Sequence, residues 1–371
     1  MLQQKKNKKR LIFTVTNDLS YDQRMIRICT SLQNSGYEVL LVGRKLTTSL
    51  PLQSYAFQQK RLFCYFNKGK LFYFEYNIRL FAYLLFQGMD LICSIDLDTI
   101  IPGYFASLIR NKKRVYDAHE LFCEMKEVVT RPPVYKFWKR IEKFAVPKFK
   151  YGYTVNHPIQ NILKNDYGVN YEVIMNVPVL MDQSETKKEH FIIYQGAVNH
   201  GRSFETLIPA FQTIDCPLLI YGDGNFYEDC KELIKKYGLE NKVFLKGKIL
   251  PGELKAITPT AIMGITLFEN NGLSNYYSLG NRFFDYIQAK IPQLCVDYPA
   301  YREINNRFEV AILIEDLSSK SIAAAIQTLL TNHQLQEKLK ANCVLAREVY
   351  NWQNEEKKLV QFYNAIFAAV N

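Results

Sequence analysis

Two runs of alternating apolar strand and amphipathic helix, joined by one polar stretch, limit what this chain can fold into more than any other feature. The first run opens with a strand at Leu11–Thr16. A helix follows with apolar residues at Met25, Ile28, Cys29 and Leu32, spaced for one face, and Ser35-Gly36 stops it. A second strand reads Val39–Val42. This βαβ opening requires a parallel sheet with right-handed crossovers. Further strands are expected at Leu91–Ile95, Arg114–Tyr116 and Gly152–Val155. After the polar linker Asn176–Lys188, strands recur at Phe191–Tyr194, Leu218–Tyr221, Val243–Lys246, Ile262–Leu267, Gln293–Val296 and Ala311–Ile314. One intervening helix carries Phe204, Leu207, Ile208 and Phe211. Two such alternations predict an α/β chain of two Rossmann-like domains facing across a cleft. Ligands in such sheets sit beyond the carboxyl ends of the strands. The expected domains are 1–177 and 178–351, and a long amphipathic helix fills 352–371. A length of 371 residues, 48% of them apolar, is ample for two cores.

Several function classes are excluded early. The first βα turn, Thr16-Asn17-Asp18-Leu19-Ser20, lacks the G-x-G-x-x-G of a dinucleotide site, which counts against a nicotinamide or flavin enzyme. The eight cysteines are scattered, with none at metal-ligand spacing, and read as buried reduced thiols of a cytosolic protein. The basic start, Lys5–Arg10, precedes only a short apolar run, against the roughly 7–15 residues of a secretory signal. Glu75, Asn77, Arg79 and Asp90 interrupt the most apolar later stretch, so no membrane span is expected.

Three loops of the second half can carry chemistry. Tyr194 runs into Gln195-Gly196-Ala197-Val198-Asn199-His200-Gly201-Arg202, where two glycines allow close backbone approach and Arg202 adds charge at a helix start. Gly222-Asp223-Gly224 follows the next strand as a tight turn. The third loop, Asn271–Gly280, enters a helix at Asn281, whose start could meet a diphosphate with Arg282 beside it. Asp285, one turn in, could accept hydrogen bonds from a ribose diol, or could simply favour the helix dipole.

With their spacing, these segments resemble the nucleotide-sugar domain of family 4 glycosyltransferases, retaining enzymes of GT-B fold. Tyr194–Arg202 is similar to a bacterial subgroup's Y-Q-G-x-x-x-x-G-R. Asn275–Tyr286 resembles its N-x-x-S-L-P-N-K-x-F-[ED]-Y. Asn17–Arg24 and Val115–Phe122 look like signatures of the same subgroup. Family members often carry two glutamates separated by seven residues; here the positions hold Tyr277 and Asp285. Ala197 stands where many relatives have arginine, and Gly280 where many have proline. The resemblance implies a nucleotide-sugar donor, UDP- or GDP-linked, no metal and no other cofactor. It also implies a final helix packing back toward the N-terminal domain. Arg202 would be the main phosphate contact, helped by Arg282 and the backbone at Gly280 and Asn281. Gly196, Gly201, Gly222 and Gly224 would shape the donor pocket. Asp285 would hold the ribose, and Glu303 would lie at the pocket edge. His119 would touch the donor sugar; a structural histidine bonded to a nearby carbonyl is the alternative. With His119, Arg202 and Asp285 as the catalytic set, Asp18, Asp96, Asp98 and Glu120 remain as acceptor-side candidates. A weakened or non-catalytic relative and a nucleotide-sugar epimerase are the competing readings.

Charge is uneven. The net +11 divides into +13 over residues 1–180 and −2 over 181–371. Arg131–Lys150 interleaves seven basic residues with Tyr135, Phe137, Trp138, Ile141, Phe144 and Val146, and Arg61–Phe86 also mixes aromatics with Lys68, Lys70 and Arg79. Such helices suit an anionic membrane surface. The plainer account is an aromatic stripe facing the core with a solvated basic back. No nucleic-acid module is present, and nucleic acid is not an expected partner. The expected setting is the cytoplasm, with peripheral docking on the inner membrane face, a glycan or lipid-linked acceptor, and a role in cell-surface polysaccharide synthesis.

Overall fold

The computed structural model describes residues 8–20, 22–181 and 186–368. The chain divides into two units. Unit 1 comprises Met1–Asn176 with Glu355–Asn371, and unit 2 comprises Val177–Asn354. Residues 182–185 of the expected linker lie outside the described residues.

Unit 1 is built on strands β1 (Arg10–Thr14), β2 (Glu38–Lys45), β3 (Gln58–Phe63), β4 (Leu91–Ile95), β5 (Lys113–Ala118), β6 (Tyr151–Thr154) and β7 (Glu172–Val173). Their spatial order is β3-β2-β1-β4-β5-β6-β7, with every pairing parallel. Central strands are apolar on both faces because helices cover both sides, so Leu11, Ile12 and Phe13 are all buried. The edge strand β3 and the two-residue β7 escape the sequence reading. The first is polar and alternates in exposure, and the second is too short to carry a pattern. The helix Gln23–Asn34 starts at Asp22, whose carboxylate accepts from the Met25 amide at 3.0 Å, and it buries Met25, Ile28, Cys29 and Leu32. The closing helix, Trp352–Ala368, brings Tyr363 beside Phe13 at 6.0 Å between ring centroids, while Glu355 accepts from the Met175 amide at 2.9 Å.

Unit 2 repeats the scheme with β8 (Ile192–Gln195), β9 (Leu218–Tyr221), β10 (Val243–Gly247), β11 (Met263–Thr266), β12 (Gln293–Val296) and β13 (Ala311–Ile314). The order is β10-β9-β8-β11-β12-β13, again all parallel. The helix Asn281–Gln288 lies so close on β11 that a Cβ at Gly264 would meet the Tyr286 ring at 2.4 Å. In both sheets the strand order reverses beside the first strand: between β1 and β4, and between β8 and β11. Ligands collect at such a reversal, because adjacent loops leave in opposite directions and open a crevice. No helix among the described residues is long and apolar enough to cross a membrane.

Candidate functional site

In unit 2 the reversal lies where β8 ends at Gln195 and β11 runs on into Phe268. Gly196 takes φ 120°, a conformation that favours glycine, and a Cβ there would stand 3.6 Å from Arg282 Nη2. The Arg282 guanidinium is buried, stacked 4.2 Å from the Tyr194 ring centroid and 5.0 Å from that of Phe268. Arg202 lies 4.4 Å from the same Phe268 centroid. One aromatic ring therefore holds two guanidinium groups, through attraction to its negative π-faces. Arg282 Nη1 is buried without a hydrogen-bond partner among the described residues. A buried cation left short of partners in a ligand crevice is suited to an anion.

Asp285 accepts from Gln195 Nε2 at 3.0 Å, and Gln195 Oε1 accepts from Thr258 Oγ1 at 2.7 Å. Gln195 and Thr258 are buried, so the carboxylate is fixed by groups that cannot swing into water. This relay was not read from the sequence, since Thr258 sits in a segment without a motif.

The expected glycines separate by cause. Gly201 at φ 80° packs on the Asn271 side chain. A Cβ at Gly222 would lie 1.8 Å from Gly196 O, and one at Gly224 2.3 Å from Val198 O, so both are small because two loops lie on each other. The Gly280 amide donates to Tyr301 Oη at 2.8 Å, which commits that group inside the protein; the expected role for it at a diphosphate is not available to this N–H. Asn281 is exposed at the helix start, and Glu303 is exposed on the helix Pro299–Phe308.

In unit 1 the reversal holds a cavity of about 340 Å³, and Asp18, Asp96, Asp98 and His119 all line it, with Thr16 and Arg24. Thr16 Oγ1 donates to Asp98 Oδ2 at 2.6 Å. The His119 amide donates to Asp96 Oδ1 at 3.0 Å, while His119 Nδ1 stands 3.9 Å from Asp96 Oδ2. Asp96 itself has φ 54° and ψ 174°, a region almost restricted to glycine, and such strain persists where surroundings force it. Burial, with the nearby Glu120 and Asp98 carboxylates, pushes Asp96 well above the usual carboxylate range. Burial lifts Asp98 to about 6 against the Thr16 hydrogen bond. At Asp18 burial acts upward too, but hydrogen bonds from Ser20 and Ser49 and the Arg61 charge outweigh it, and the carboxyl ends below its ordinary value. Partial burial and the Arg24 charge lower the His119 imidazole below its ordinary value, so it is neutral at pH 7. Beneath this group Arg24 Nη2 meets Asp117 Oδ1 at 2.7 Å, a buried pair whose members appear in two separate sequence signatures.

The larger cavity of unit 2, about 800 Å³, lies elsewhere, against Lys188, His190, Ile262 and Pro292 at the amino edge of β8, β11 and β12. Lys188 Nζ there donates to Pro259 O and Ala261 O, at 2.8 and 3.1 Å. Its position, opposite the loops just described, is not where open α/β sheets hold ligands. Among the described residues no cluster of His, Cys, Asp or Glu could hold a metal ion.

Residues 179–343 match the family model described as glycosyl transferases group 1. The chain has the GT-B fold, and its second unit carries the segment that matches this family. Solved structures share its fold along nearly the whole length. Sucrose-phosphate synthase from Thermosynechococcus elongatus superposes with a TM-score of 0.79 at 16% identity, over 98% of this chain and 100% of that one. A glycosyltransferase from Rickettsia africae gives 0.76 at 14%, over 98% and 100%. HepE from Anabaena, solved in complex with UDP-glucose, gives 0.75 at 13%, over 96% and 99%. At these identities the likeness is one of fold. No curated protein sequence matches this chain.

Proposed function

We propose that this protein is a glycosyltransferase that moves a sugar, with retention at the anomeric carbon, from a UDP- or GDP-sugar to a glycan or lipid-linked acceptor in cell-surface polysaccharide synthesis. The observation that carries the donor reading is the pair Arg202 and Arg282 on one Phe268 ring, beside Gly196 at the strand-order reversal. When the bond from the sugar to the diphosphate breaks, negative charge grows on the leaving oxygen. Cations already fixed at that place need no reorganisation to stabilise it, and one well-aimed group contributes about 3–4 kcal/mol. In this reading Asp285, set by Gln195 and Thr258, takes the ribose hydroxyls. Glu303 borders the pocket, and His119, neutral at pH 7, contacts the donor sugar as a hydrogen-bonding partner rather than a cation. The HepE structure with UDP-glucose supports a uridine donor.

Work at the cytoplasmic face of an anionic membrane belongs to the same proposal. On the helix Pro132–Ala145, Trp138 packs inward against Phe122 and Tyr73, but Phe137 and Phe144 are exposed with Lys136, Arg140 and Lys143. Phe105 of the uncharged helix Ile100–Ile109 stacks on Phe144, and Leu108, Ile109 and Phe86 are exposed as well. Apolar rings among exposed cations match an anionic bilayer surface.

The deciding experiment measures nucleotide release from UDP-, GDP-, ADP- and TDP-sugars, with and without acceptor, and reads the product anomer by NMR. Acceptor-dependent release with a retained anomer is expected. Absence of release from every donor, or an inverted product, would overturn the reading.

A further inference from the structure

The cavity of about 800 Å³ at the amino edge of β8, β11 and β12 takes no part in the donor reading. Lys188 and His190 enter its wall ahead of β8, and Asp215 ahead of β9. Glu337 and Lys340 line it from the helix His333–Val349, 3.5 Å from each other. Lys188 is an exposed residue whose amine is nonetheless held in place. Its Nζ donates to Pro259 O at 2.8 Å and to Ala261 O at 3.1 Å. Two carbonyls use up the hydrogens of a neutral amine. An ammonium ion has a third, and it finds no third acceptor among the described residues. Partial burial, then the Lys340 charge, outweigh the Glu337 carboxylate and lower the amine to about 8. At pH 7.5 about a quarter of the chains then carry the free amine, against about one in a thousand for an ordinary lysine.

A free amine with both hydrogens on backbone oxygens offers the cavity its lone pair, and a desolvated lysine of this kind is a nucleophile. An acyl phosphate suits the surroundings. Its carbonyl carbon is electrophilic, its phosphate meets the Lys340 cation, and the volume admits it with room to spare. Asp215 and Glu337 oppose the phosphate, so the reactive amine rather than tight binding sets the selectivity. Attack forms the bond from Nζ to the acyl carbon, and the bond from that carbon to the phosphate oxygen breaks with its electron pair. The proton that Nζ gives up leaves on the phosphate as hydrogen phosphate. The product amide keeps one hydrogen for two carbonyls, so either Pro259 O or Ala261 O is released. That turn is the one whose Thr258 hydroxyl holds Gln195, which in turn donates to Asp285.

We propose that Lys188 is an acylation site modified by acyl phosphates, and that its acylation loosens the turn at Thr258 and weakens donor binding. The second part rests on the donor reading above. It places control of the nucleotide loops at the opposite edge of the same sheet.

The test treats the full chain with acetyl phosphate at pH 7.5 and follows acetyl-lysine by peptide mass spectrometry. Lys188 should be acetylated about tenfold faster, or more, than the median of the other lysines. Lys340→Gln removes the charge that serves the phosphate and lowers the amine, and should slow labelling of Lys188 by about fivefold. Calorimetry then measures UDP and GDP on treated and untreated protein. The tighter of the two should bind about threefold more weakly after treatment. Lys188→Arg keeps donors for both carbonyls but offers no acylable amine, so its affinity should be the same before and after treatment. Labelling of Lys188 no faster than of the other lysines overturns the site, and it is read on the unmodified protein even if a variant fails to fold. An unchanged affinity in the treated protein, or an equal loss in treated Lys188→Arg, overturns the link to the donor. Failure of untreated protein to bind either nucleotide would instead sink the donor reading and leave the labelling result standing.

Discussion

The two sheets share a strand order, and each opens a crevice at the same topological place, yet the two crevices carry opposite charge. That of unit 2 is marked by Arg202 and Arg282 on one aromatic ring. That of unit 1 is lined by Asp18, Asp96 and Asp98. Net charge runs the other way, with +13 over residues 1–180 and −2 over 181–371. The basic excess of the first half sits on outer helices, at residues such as Lys136, Arg140 and Lys143, and not in its cavity. The strand order decides where a ligand goes, while a few residues just past the strand ends decide what it is. The charge of a whole domain reports on its outer surface, and here it would name the wrong partner for each pocket.

The largest expected effect tests the cationic crevice. Arg202→Ala should lower kcat on the order of 10²–10³, the equivalent of about 3–4 kcal/mol, with thermal unfolding unchanged. Full turnover in that variant would erase the contrast between the two sites. Next comes the acidic crevice. The Asp98 carboxyl is raised to about 6, so the fold favours its protonated form. That contribution is complete below about pH 4 and is lost as pH rises through 6. Asp98→Asn cannot ionise, and should therefore be more stable than the native protein at pH 7.5 by up to about 3 kcal/mol, with the difference closing near pH 4. Urea unfolding at both values checks the sign; an equal difference at the two pH values would refute it. His119 works in the opposite direction. Its lowered pKa contributes stability above about pH 6.5 that is lost as pH falls toward 3. The imidazole is 41% exposed, so solvent screens part of the effect.

Smaller changes sharpen the comparison. Thr258→Val removes the hydroxyl that holds Gln195, and should raise the donor KM several-fold, for about 1 kcal/mol, while the acceptor KM stays put. A matching rise in acceptor KM would mean that the relay is general scaffolding. Phe137→Ser, on the exposed face of its helix, should reduce flotation with anionic liposomes and leave turnover of a soluble acceptor unaltered. Equal flotation with neutral and anionic lipid would remove the docking surface from the account.

Much of the fold could be read locally. Strands β9, β12 and β13 fall at Leu218–Tyr221, Gln293–Val296 and Ala311–Ile314, where apolar runs announce them. Burial on both faces writes itself into adjacent residues, and helix contacts repeat within a turn or two. Edge strand β3 was silent because one side meets water, and its sequence Gln58–Phe63 is accordingly mixed. Loop residues such as Asp18, Asp96 and Asp98 could be nominated because each follows a strand, and strand ends of a parallel sheet share one edge, whereas His119 was named by the family resemblance of its segment.

Their partners could not. Arg24 and Asp117 are 93 positions apart, and Gln195 and Asp285 are 90 apart. Phe268 reads as one more apolar residue until two guanidinium groups are found over its ring. The amino-acid sequence by itself determined where strands and helices begin, and that two parallel sheets would form, because those outcomes depend on neighbours a few residues away. Which charges face one another, and which polar atoms are left wanting, was decided only by tertiary structure, since strand order is a property of the whole sheet and sets every long-range meeting at its edge.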